Sequence, residues 1–108
     1  MSILHRASSS LKQPTYHHVL IIHEVTDFKA WKAVFDSAKD LRRTAGERSY
    51  QLLHFPDHPR RIVHFSAWSS HADAKRFFHS EALEEIRRKA GVKAPEFHYL
   101  TQLESGRL

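Results

Sequence analysis

Residues 60–80 read RRIVHFSAWSSHADAKRFFHS. Ile62, His64, Ser66 and Trp68 fall on one side of the first half, and Val63, Phe65 and Ala67 on the other. A period of two is that of a β-strand. Both sides are largely apolar or aromatic, so neither face of the sheet is built for water at this strand. Ser69 and Ser70 end it, and Ser70 with Asp73 three residues on has the spacing of a capping box that opens a helix. A strand apolar on both faces, in so short a chain, needs more cover than the chain itself supplies.

Upstream of this strand, Tyr50, Leu52 and His54 alternate with Gln51, Leu53 and Phe55, and the turn Pro56-Asp57-His58-Pro59 joins the two as antiparallel neighbours. Further back, Tyr16 to Val25 alternates as a first strand with apolar positions on both faces. Asp27 is placed to N-cap a helix. Phe28, Trp31, Phe35, Ala38 and Leu41 recur along it at helical spacing, and Gly46 closes it. Downstream, Ala74, Phe77 and Phe78 mark a short helix that Ser80 interrupts and re-caps. Leu83 and Ile86 carry a second piece to Gly91, and Phe97 to Leu103 form a last strand. The order strand, helix, strand, strand, helix, strand predicts an α+β, ferredoxin-like βαββαβ fold with an antiparallel four-stranded sheet and its helices on one face.

The chain has 108 residues, enough for one domain whose single core is marginal, so association is a common remedy. Residues 1–15, Ser-rich and without an acidic residue, are expected to be a flexible tail, and 16–104 a single domain. There is no cysteine, which excludes disulfides, thiolate catalysis and cysteine metal sites. No apolar run approaches the ~20 residues of a membrane span, and the expected setting is the cytoplasm. The formal charge is +5, but the charges are scattered through helical segments such as Arg42-Arg43 and Arg87-Arg88-Lys89. They read as solvated helix faces, not as a nucleic-acid surface. The ten histidines show no carboxylate or histidine spacing of a zinc site. Neither a Gly-rich phosphate loop, a serine nucleophile elbow nor a carboxylate pair is present. No metal and no cofactor is expected.

Gly46 followed by Tyr50, then DHPRRIVHFSAWSS and a helix ending in FFHSEAL, resembles the antibiotic biosynthesis monooxygenase family of dimeric α/β barrels. The resemblance spans about residues 16–103. It implies a homodimer whose sheets pack face to face, with a cavity between sheet and helices in each subunit. The family covers cofactor-independent quinone-forming monooxygenases, haem-degrading enzymes, polyketide cyclases and proteins of unknown role, and a shared fold does not choose among them.

Quinone-forming members carry an Asn and a Trp four residues apart on the third strand. Those positions correspond here to His64 and Trp68, so the Trp is kept and the Asn replaced. Cofactor-free oxygenation requires an ionised phenol, and a neutral imidazole beside it can take the proton. His64 and Trp68 are therefore the candidate catalytic pair, with Ile62, Ser66, Phe77 and His23 as candidate substrate contacts. Buried, hydrogen-bonded packing is the competing account of both His64 and Trp68. Haem-degrading relatives place a His three residues before the serine that corresponds to Ser80, where this chain has Phe77. His79 lies about 200° further around the helix. Three readings stay open: an enzyme oxidising or rearranging a small aromatic or polyketide-like substrate, a protein holding haem or another hydrophobic ligand, and an assembly module whose cavity is filled by its own side chains.

Overall fold

A computed structural model describes residues 16–108, so the tail expected at 1–15 lies outside the described residues. The elements are β1 (His17–Val25), α1 (Phe28–Ser37), α2 (Lys39–Ala45), β2 (Glu47–Phe55), β3 (His58–Trp68), α3 (His71–Phe78), α4 (Glu81–Lys89) and β4 (Val92–Thr101). The sheet order is β2-β3-β1-β4 with every pair antiparallel, the ferredoxin-like α+β arrangement expected.

The caps form where the sequence places them. The Ala30 N–H donates to Asp27 Oδ1, the Asp73 N–H to Ser70 Oγ and the Leu83 N–H to Ser80 Oγ. The chain leaves α2 through Gly46 at φ 129, a left-handed backbone that favours glycine. The Ser69 N–H donates to Gly46 O at 2.9 Å, and a Cβ at position 46 would run into Ser69 Oγ. This close approach locks the start of β2 against the end of β3.

One expected helix is two. It breaks at Ala38 (ψ 10), and beyond the break Arg42 rather than Leu41 turns inward. Leu41 is exposed, which corrects its expected place on the apolar stripe, whereas Trp31 and Phe35 are buried as expected.

Register sets what the helices cover. Leu52 pairs with His64, His64 with Ile21 and Ile21 with Phe97, a row running across the sheet beneath the helices. Val19, Ile21, Trp68, Ala74, Phe77 and Phe78 form one buried cluster, and Val25, Trp31, Phe35, Ile62 and Ala90 another. β4 starts five residues before the expected Phe97, at Val92. While β1 advances from Ile22 to Glu24, β4 runs from Glu96 to Lys93, so Ala94 and Pro95 bulge. Proline cannot donate to the ladder, and Ala94 takes φ 46 to absorb the extra residue. The opposite face of the sheet carries Leu20, Ile22, Leu53, Val63, Phe65 and Leu100, and no helix among the described residues covers it.

Candidate functional site

Members of both clusters enclose a cavity of about 70 Å³ between sheet and helices. Its wall takes Ile21, His23 and His64 from the sheet, Trp31, Phe35 and Arg42 from α1 and α2, Phe77 and Phe78 from α3, and Leu83, Ile86 and Arg87 from α4. None of the α4 residues is fully buried, so this helix is the wall most easily displaced.

His64 stands in an aromatic frame, edge-on to Phe35 with ring centroids 5.1 Å apart and flanked by Tyr50 and Phe78. Its Nε2 lies 2.8 Å from Glu47 Oε2, with both side chains almost wholly buried. A carboxylate only accepts, so the pair places the proton on Nε2 and leaves Nδ1 as the basic nitrogen. The other carboxylate oxygen of Glu47 lies 3.4 Å from Arg42 Nη1, near enough for charge attraction but without a formed hydrogen bond. The Arg42 guanidinium lies 3.7 Å above the centre of the Phe35 ring, a cation–π contact. Arg42, Glu47 and His64 thus form a buried chain of charge and hydrogen bonding that ends at the cavity.

His23, next to His64 on the cavity wall, is buried with no hydrogen-bond partner at either ring nitrogen among the described residues. Burial first, then the His64 and Arg87 charges, lowers its pKa from 6.5 to about 4. An unfolded chain therefore binds a proton on His23 between about pH 6.5 and 4 that the folded chain refuses. Stability is complete above that window and falls as the pH drops through it, by up to about 3 kcal/mol at its acid end. Urea midpoints measured from pH 7 to 4.5 should fall more steeply for the wild type than for His23→Gln. Parallel curves would remove His23 as the source.

Of the residues singled out in the sequence, His64, His23 and Phe77 meet at the cavity. Ile62, Ser66 and Trp68 share the strand face with His64 but do not line it. Trp68 is wholly buried under Phe77 and Phe78, and its Nε1–H donates to Ser66 Oγ at 2.8 Å. The short α3 folds back over the end of β3 and seals both side chains away, so the expected stacking of Trp68 on a ligand is not available in this geometry.

Sequence reasoning missed Glu47, Arg42 and Arg87. Arg42 follows Phe35 by seven residues, and Arg87 follows Leu83 by four. Both thus occupy apolar-stripe positions, which was the available signal. Glu47 gave none. Strict alternation from Leu52 and Tyr50 puts position 47 on the other face, and an irregularity between Glu47 and Ser49 turns it inward.

No protein-family model matches the chain, and no curated protein sequence matches it. Solved structures do match its fold. SnoaB, a cofactor-independent oxygenase from Streptomyces nogalater, superposes with a TM-score of 0.69 at 14% identity over 85% of this chain and 97% of its own. A candidate antibiotic biosynthesis monooxygenase from Caulobacter crescentus gives 0.64 at 15% identity, covering 91% and 99%. A dimeric ferredoxin-like protein from an uncultured marine organism gives 0.58 at 11% identity, covering 88% and 94%. The resemblance to antibiotic biosynthesis monooxygenases read from the sequence therefore holds at the level of the fold.

Proposed function

We propose that this chain forms a cytoplasmic homodimer and works as a cofactor-independent, monooxygenase-like enzyme on a small aromatic phenol. The observation that carries this reading is the buried Glu47–His64 pair, whose remaining basic nitrogen belongs to a cavity-lining ring. A base oriented by a carboxylate, beside an apolar cavity, is an arrangement suited to deprotonating a phenol. His64 Nδ1 takes the phenolic proton, and Glu47 stabilises the imidazolium that results. The phenolate then reduces dioxygen; one oxygen atom enters the ring as a quinone carbonyl and the other leaves as water. Phe35, Phe77 and Phe78 flank the ring, and Trp68, tied to Ser66, backs the two α3 phenylalanines.

Size narrows the substrate. A cavity of about 70 Å³ is far below the ~300–1,000 Å³ of sites for drug-sized ligands. It favours a single ring over a polycycle, admitted by outward movement of α4, and it has no room for a haem. The second reading is a non-catalytic protein that holds a small hydrophobic ligand in the same cavity. Oxygen uptake with a panel of one- and two-ring phenols separates the two. Turnover supports the enzyme, and none across the panel ends that reading in favour of binding.

The homodimer rests on the uncovered sheet face with Leu20, Ile22, Val63, Phe65 and Leu100, and on a dimeric neighbour of the same fold. Joining two such faces should bury about 2,000 Å² or more. Light scattering at micromolar concentration is expected to give twice the chain mass. A stable monomer of native helicity would sink this part of the proposal.

A further inference from the structure

The polar groups lining the cavity are short of acceptors. Arg42 is buried, yet its Nε and Nη1 find no hydrogen-bond partner among the described residues, and the same holds for Arg87 Nη1. His23 adds two unpartnered ring nitrogens. No Asp or Glu among the described residues lines the cavity. Glu47 is shared between His64 and Arg42, and Arg87, whose charge Glu84 attracts, still has its Nη1 without a hydrogen-bond partner among the described residues. Buried donors of this kind are almost always satisfied in folded proteins, and an arginine cannot shed its charge to escape the cost.

Arg42 also forms part of a second wall. A surface pocket of about 190 Å³ is lined by Lys39, Arg42, Arg43, Glu47, Arg48 and Tyr50, so the two hollows have the Arg42 side chain in common. A mouth carrying Lys39, Arg43 and Arg48 raises the local concentration of anions.

We propose that the inner cavity is a binding site for a small organic carboxylate, held by Arg42 and Arg87 and drawn in through the basic mouth that Arg42 separates from it. A carboxylate supplies the acceptor lone pairs that these guanidiniums lack and fits their forked donors. The volume suits an acid of acetate size. The positive surroundings that help keep His23 neutral favour the same guest. This site does not depend on the phenol reading and stands if the chain oxidises nothing.

The test titrates the full-length wild-type protein with acetate at pH 7 and constant ionic strength, with acetamide as the neutral isostere and chloride as the simple anion. Imidazole resonances report the result. The expected outcome is saturable movement of the His23 and His64 signals with acetate and not with acetamide or chloride. Arg42→Gln and Arg87→Gln should each weaken the affinity about tenfold or more. Shifts confined to exposed histidines such as His54 and His98, or equal responses to acetate and chloride, overturn the proposal. The wild-type arm needs no variant, so a poorly folded substitution does not rescue it.

Discussion

Replacing His64 by alanine is expected to lower kcat for the phenol by about 10²–10⁴-fold, the usual contribution of a positioned base. Alanine removes the ring nitrogen that pairs with Glu47 while leaving the Arg42 charge beside that carboxylate. The fold therefore keeps a partial counter-charge for Glu47, and circular dichroism should show it. His64→Asn adds a discriminating arm, because an amide can orient a substrate but cannot take its proton. Partial activity in His64→Asn assigns the residue to orientation, and loss equal to alanine assigns it to proton transfer. Wild-type rates in both variants remove His64 from the mechanism.

Trp31→Ala should cost about 3–5 kcal/mol of stability, the range for deleting a large aromatic from a core. Trp31 is 6% exposed and packs against Phe35 with centroids 5.0 Å apart and against His23 at 5.3 Å. Through these contacts it holds α1 on the sheet and forms part of the cavity wall. Urea unfolding at pH 7 measures the loss. A change below about 1 kcal/mol would contradict the placing of α1.

Regular periodicity made the fold legible in the sequence. The strand parity of Ile62, His64, Ser66 and Trp68, the Trp31–Phe35 stripe and the caps at Asp27, Ser70 and Ser80 all rest on repeats and local hydrogen bonds that residue types disclose. His64 was legible for the same reason. What sequence could not disclose depends on irregularity and on packing depth. An irregularity turns Glu47 inward, a helix break exposes Leu41, and the fold-back of α3 closes over Trp68. Each sets which same-face residue reaches the hollow, which periodicity alone cannot rank.

The irregular edges of the sheet limit how this protein can polymerise. β4, one border, carries the Ala94-Pro95 bulge, and β2, the other, carries an extra residue between Glu47 and Ser49. A foreign strand needs an unbroken row of free amide and carbonyl groups, and bulges and proline spoil that row. Growth along the borders would be open-ended and lead to fibres, whereas joining two apolar faces uses both up and stops at a pair. The local defects that hid parts of the site in the sequence also weigh against open-ended, amyloid-like growth along these borders.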